Sequence, residues 1–213
     1  MRILALASQK GGVGKTTIAG HLAVEAEARG HGPVALVDTD PQGSLAAWWN
    51  GRAAETPLFA SATVGGLAGQ LDGLRAMGVA LVVVDTPPAV TESIAAVVGL
   101  ADLVLIPTRP SPHDLRAVGA TVDLVERRGR PMVFVVNGAT PRARITADAA
   151  VALSQHGTVA PATLHQRVDF ASSMIDGRTV REVAPDSNSA REVAELWTYV
   201  RTRLHKATDG EGG

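Results

Sequence analysis

Apolar residues in this chain come in short unbroken runs, separated by longer stretches in which they recur every three or four positions. The runs are Ile3–Ala7, Val34–Val37, Val79–Val84, Leu103–Ile106, Met132–Val136 and a weaker one near Thr158–Ala160. Unbroken rather than alternating apolarity marks strands buried on both faces, the pattern of a parallel sheet. Between the first two runs, Ile18, Ala19, Leu22, Ala23 and Ala26 fall on one side of a helix over Thr16–Arg29, which Gly30-His31-Gly32-Pro33 ends. A stiff loop from Pro107 to Pro112 leads into a helix over Asp114–Arg128, and a last long helix starts near Ser187 or Ser189 and runs to about Leu204. Strands alternating with helices predict an α/β fold, a mostly parallel, doubly wound sheet with helices on both faces. Residues 1–206 are expected to form a single domain and 207–213 a disordered tail.

Composition narrows the chemistry. At 213 residues and 46% hydrophobic, the chain can bury a substantial core, and it has no run of about 18 apolar residues. Its formal charge of -1 gives no bulk attraction to nucleic acid, so any basic face must be made by local clustering. Cysteine is absent, which excludes disulfides, thiolate catalysis and cysteine-held metals. His21, His31, His113, His156, His165 and His205 are scattered without metal-ligand spacing, and Trp48 and Trp49 read as half-buried packing residues. The first strand begins almost at once with no charged-then-apolar leader, so a cytoplasmic location is expected.

Directly after the first strand comes Lys10-Gly11-Gly12-Val13-Gly14-Lys15-Thr16-Thr17, and then the first helix. A glycine-rich turn at a helix N-terminus lets backbone N–H groups converge on phosphate oxygens, with the helix dipole adding positive potential. Lys15 would reach the β- and γ-phosphates and the Thr16 hydroxyl would hold Mg²⁺. Lysine is otherwise almost unused here, since Lys206 is the only other one among 20 basic residues, so two in one loop are not background. Acidic residues follow two further strands, in Asp38-Thr39-Asp40-Pro41-Gln42-Gly43 and in Asp85-Thr86-Pro87-Pro88. At the carboxyl ends of parallel strands, so near a triphosphate, carboxylates belong with a cation or an oriented water.

The usual phosphate-loop pattern would place glycine where Gln9 stands; Lys10 followed by two glycines instead resembles the deviant Walker A loop of the ParA/MinD superfamily of ATPases, nearest the short plasmid-type ParA proteins. The resemblance spans essentially residues 1–205, and the segments Pro107–Asp114 and Gln166–Phe170 support that subgroup more weakly. It implies a P-loop ATPase that binds ATP and Mg²⁺ and forms an ATP-dependent homodimer in which Lys10 crosses to the partner's nucleotide. It also implies Asp85 and Asp38 as metal-side carboxylates, Asp40 as the residue positioning the attacking water, Asn137 as an adenine contact and Pro161 as closing the other side of the base. The lack of cysteine removes the superfamily's iron–sulfur branches.

Such proteins bind double-stranded DNA without sequence preference as dimers, are nucleoid-associated, and move a plasmid or other cargo with a ParB-type or adaptor partner that stimulates hydrolysis. Arg167 matches a position where relatives use arginine for DNA, whereas Asn188 stands where some have a basic residue; Arg142, Arg144, Arg178, Arg181 and Arg191 are further candidates. Residues 141–206 hold nine basic and seven acidic residues. A MinD-like membrane surface is a rival, because Leu196, Trp197, Val200 and Leu204 form an apolar stripe beside Arg201, Arg203 and Lys206; cover for the sheet is the preferred reading, with no membrane partner. A metabolic ATP-dependent ligase on the same fold is the other alternative, and the single tyrosine, Tyr199, argues against a tyrosine-kinase relative.

Overall fold

The computed structural model describes residues 1–88 and 92–209. Its strands are β1 (Arg2–Leu6), β2 (Val34–Asp38), β3 (Leu58–Ser61), β4 (Leu81–Asp85), β5 (Leu103–Thr108), β6 (Met132–Ala139), β7 (Thr158–Val159) and β8 (Leu164–His165). The helices are α1 (Lys15–Ala28), α2 (Ser44–Asn50), α3 (Leu67–Ala76), α4 (Glu92–Leu100), α5 (Pro112–Arg127), α6 (Arg144–Ser154), α7 (Val168–Ser173), α8 (Val180–Val183) and α9 (Asn188–Asp209). Seven strands lie in the order β3-β2-β4-β1-β5-β6-β7, β8 pairs with β6, and every pairing is parallel.

Alternate residues of each strand feed two separate cores, which is why the apolar runs are unbroken. Leu4, Leu6, Leu36, Val83 and Leu105 face α1 and α9, while Ile3, Ala5, Val37, Val84 and Ile106 face α3, α4 and α5. In α9 the residues Ala190, Val193, Leu196, Trp197, Val200 and Leu204 are all at most 4% exposed, so the stripe that a membrane reading would need is part of the core. No helix among the described residues is long and apolar enough to cross a bilayer. Helix starts follow local chemistry: Ser111 accepts the Asp114 N–H with Pro112 in the first turn of α5, and Ser187 accepts the Ala190 N–H before α9.

Three departures from the sequence pattern have physical causes. The edge strand β3 carries Leu-Phe-Ala-Ser, half exposed, and so shows no buried run. Strand β5 continues through Pro107, which the pattern places in a loop; there it has run past β1 and pairs only with β6, so its missing N–H costs no bond on the β1 side. Helix α9 runs to Asp209, beyond the expected boundary at 206, and the rest of the expected tail, 210–213, lies outside the described residues.

One contact fixes α2 against the far end of the chain. Gly177, at φ 76°, sits so close to the end of α2 that a Cβ there would meet Arg52 N at 2.4 Å and the Gly51 carbonyl carbon at 2.5 Å. The Trp48 indole donates to Arg178 O at 3.1 Å, and the Arg52 guanidinium donates to Gly177 O at 2.6 Å and lies over the Trp48 ring. Gly177→Ala is expected to lower stability by about 3 kcal/mol, measured by chemical denaturation, because both the backbone angle and the space are wrong for a side chain. A loss below about 0.5 kcal/mol would show that the clamp yields freely.

Candidate functional site

Residues that diverge in sequence meet where β1, β4 and β2 end. The register pairs Leu6 with Asp85 and Asp38 with Asp85, so two carboxylates stand side by side at the carboxyl ends of the strands. From β1 the chain turns through Gln9–Gly14 into α1, with Gly12 at φ 73° and Gly14 at φ 93°. Gln9, at the position of the missing glycine, gives its N–H to Thr121 Oγ1 at 3.1 Å. Asn137 Nδ2 donates to Val13 O at 2.6 Å, and a Cβ on Gly14 would come within 2.3 Å of that nitrogen. Gly14 is therefore required twice, for its angle and for the approach of Asn137.

Lys15 is buried, with Nζ 3.5 Å from Ser8 O. Burial pulls its pKa below the ordinary lysine value while Asp85 and Asp40 pull it back up. Lys10 lies exposed on the same loop, with its backbone N–H donated to Ser8 Oγ at 3.2 Å. Thr16 Oγ1 donates to Asp85 Oδ2 at 2.6 Å, while Asp85 Oδ1 is buried with no hydrogen-bond partner. Burial, reinforced by Asp38, raises the Asp85 pKa to about 7 against the pull of the Thr16 bond. A hydroxyl and an unsatisfied buried carboxylate oxygen are hard donors of the kind Mg²⁺ takes. No cluster of three or more His, Cys, Asp or Glu side chains that could hold a metal ion is found among the described residues.

The neighbouring carboxylates do different work. Asp38, expected at the metal, accepts the Asp40 N–H on Oδ1 and the Ala46 N–H on Oδ2, both at 3.0 Å, and so anchors the loop that carries Asp40 and the first turn of α2. Asp40 is half exposed, and its Oδ1 accepts only the local Gln42 N–H at 2.9 Å among the described bonds.

An Asp held near pKa 7 rather than its ordinary 3.8 stabilises the folded state when protonated. That contribution is whole below pH 3.8 and is lost as pH rises through about 7. His21 has the opposite sign: burial lowers its pKa to about 4, so its contribution is lost as pH falls. Subtracting the melting profile of Asp85→Asn from that of the parent chain in EDTA cancels His21, and the difference is expected to fall between pH 3.8 and about pH 7. Parallel profiles would remove Asp85 as the source.

A cavity opens beside Gly14 and Thr17, floored by Ile18, Leu22, Phe170 and Leu196 and rimmed by Asn137, Gln166 and Arg109. His21 closes its inner end: Nδ1–H donates to Thr17 O at 2.8 Å, Nε2 accepts the Val180 N–H at 3.3 Å, and Phe170 meets the ring edge-on. Pro161, expected to close the base, lies elsewhere, in an outer groove with Arg29, Glu195 and Tyr199. Gln166, Arg167 and Phe170 are among the residues that line the cavity. Arg109 follows the end of β5 and was open to the same strand-end argument as Asp38 and Asp85; His21 carried no comparable signal.

Most of the candidate DNA arginines are tied to acids. Arg167 donates to Glu192 Oε1 at 2.7 Å, an oxygen His165 shares, and borders the cavity beside Gly14. Arg178 pairs with Asp176 at 2.6 Å, Arg181 approaches the buried Glu25 at 3.6 Å, and Arg191 is bonded to Asn188. Arg142 and Arg144 stand exposed at the start of α6, Arg144 only 3.8 Å from Asp148.

Residues 4–180 match the CobQ/CobB/MinD/ParA nucleotide binding domain. The chain belongs to this family. The CobQ/CobB/MinD/ParA relatives include the maintenance of carboxysome distribution protein A of Halothiobacillus neapolitanus, 30% identical over 206 residues, covering 89% of this chain and 91% of that one. The protein of the same description from Gloeobacter kilaueensis is 47% identical over 125 residues, 57% of this chain; the match spans about half of that relative, 55% of its length. Among solved structures, the septum site-determining protein MinD from Pyrococcus horikoshii, complexed with Mg-ADP, superposes with a TM-score of 0.78 at 16% identity, covering 93% of this chain and 95% of that one. This MinD/ParA member accordingly has the family's P-loop α/β fold.

Proposed function

We propose that this chain is a Mg-ATP-dependent dimerising ATPase switch that holds non-specifically to nucleoid DNA and positions a cargo, with a partner protein stimulating hydrolysis. The observation that carries the reading is the contrast on one loop: Lys15 is buried and Lys10 exposed, so that Lys15 would serve this subunit's phosphates and Lys10 those of a second subunit. Asp85 and Thr16 would hold Mg²⁺, Asp40 would orient the attacking water, and Asp38 would set the Asp40 loop. Asn137 would contact the base, since it lines the cavity while its Nδ2 is donated to Val13 O.

Two relatives named for carboxysome distribution weight the cargo towards a large protein assembly rather than a plasmid. DNA affinity per subunit would be small, because acids neutralise most of the candidate arginines, and dimerisation would supply the avidity. The test is binding to arbitrary duplex DNA at low and moderate salt with ATP, ADP or no nucleotide, using Asp40→Ala to block hydrolysis. Binding with ATP alone supports the switch; equal binding in all three states removes it, and none in any state removes DNA.

A further inference from the structure

Two arginines line the cavity beside Gly14, and they are held differently. Arg167 donates to Glu192 Oε1 through both Nη2 and Nε, so its charge is satisfied within the chain. Arg109 follows Thr108, the last residue of β5, and is exposed. Among the described residues its guanidinium has no hydrogen-bond acceptor and no carboxylate at ion-pair distance.

Its stem is nonetheless placed. Strand β6 is irregular between Asn137 and Ala139, where it pairs with Leu164 and His165. A Cβ on the intervening Gly138 would stand 3.6 Å from Arg109 Nε and 3.7 Å from its Cγ, so the arginine lies in ordinary contact along that backbone. Asn137, one residue earlier, reaches Val13 O in the phosphate loop, and both side chains line the same cavity. The floor below is Ile18, Leu22, Phe170 and Leu196, which offer a guanidinium no acceptor. The two histidines of the lining are engaged, His165 with Glu192 and His21 on both ring nitrogens.

An unpaired guanidinium at the rim of an apolar pocket suits a flat, polarisable ligand, because the cation attracts the face of an aromatic ring and its plane stacks on a nucleobase. We propose that Arg109 packs its guanidinium on the face of the base of a bound nucleotide. The inference rests on the reading that a nucleotide occupies the phosphate loop with its base in this cavity. Lys15 and the loop N–H groups then serve the phosphates, Asn137 meets the base, and Arg109 covers its face. Such a contact does not sense the number of phosphates, so it strengthens ATP and ADP alike. It is also tolerant of base identity, since every base has a π-face.

The test is calorimetric titration of the full chain with ATP, ADP and inorganic tripolyphosphate in the presence of Mg²⁺. Arg109→Ala is expected to weaken ATP and ADP by about 3- to 10-fold each and to leave tripolyphosphate unchanged. Arg109→Tyr, which keeps a flat stacking surface without the charge, is expected to recover most of that loss. Both variants should melt with the parent, because the position is exposed. Parallel weakening of tripolyphosphate would make Arg109 a phosphate contact, and a loss confined to ATP would make it a contact between subunits; either overturns the proposal. So does Arg109→Ala binding as the parent does, or Arg109→Tyr binding as weakly as Arg109→Ala. A parent chain that takes up neither ATP nor ADP removes the nucleotide reading and this inference with it, whereas a parent that binds both and ignores the substitutions removes the inference alone.

Discussion

Lys10→Ala is expected to leave the chain folded and able to take up ATP with an affinity within a few-fold of the parent, yet unable to form the ATP-dependent dimer. ATP hydrolysis should fall by about 10²- to 10³-fold, the usual effect of removing one preorganised charge from a phosphoryl-transfer site. The side chain is exposed on a loop whose shape is set by Gly12, Gly14 and the Asn137–Val13 bond, so its removal disturbs nothing beneath it. Lys15→Ala is the contrast, because that buried ammonium should be needed for nucleotide binding itself. Light scattering with and without ATP, alongside a phosphate-release assay, reads both quantities. Unchanged dimerisation and turnover in Lys10→Ala would overturn the face-to-face arrangement and leave an ordinary phosphate loop.

Asp40→Ala should do the reverse, keeping nucleotide and dimer while hydrolysis drops by about 10²- to 10⁴-fold, the range for loss of a group that orients or deprotonates a nucleophile. Its carboxylate is half exposed and accepts only the Gln42 N–H among the described bonds, so stability should change little. Asp38→Ala makes the comparison sharp. That residue is 3% exposed and holds two backbone N–H groups, and its loss should cost about 2 kcal/mol of stability. If Asp40→Ala hydrolysed ATP at the parent rate, water positioning would have to move to another residue.

Strands at the middle of the sheet were legible because burial on both faces leaves a one-dimensional trace in the chain. The edge strand β3 and the two-residue β8 were not, since neither is long enough or buried enough to leave one. The phosphate loop was equally plain, because its glycines answer to backbone geometry within eight residues. What escaped were pairings between residues far apart. Arg167 reads as a free cation until Glu192 closes on it from α9, and His21 reads as a helix residue until Val180 reaches it across 159 positions. Asp38 and Asp40 look alike in sequence, two residues apart; only the fold assigns one to holding backbone and leaves the other accessible.

The Asn137–Val13 bond has a further consequence. It joins β6 to the phosphate loop and braces that loop from within the protein. A cradle built in advance asks little ordering of the chain when phosphate arrives, so it should welcome diphosphate and triphosphate nearly alike. Telling one from the other is then a task the cradle cannot perform, and it falls to whatever touches the third phosphate from outside. Under the proposed switch, that outside element would be a second copy of this chain.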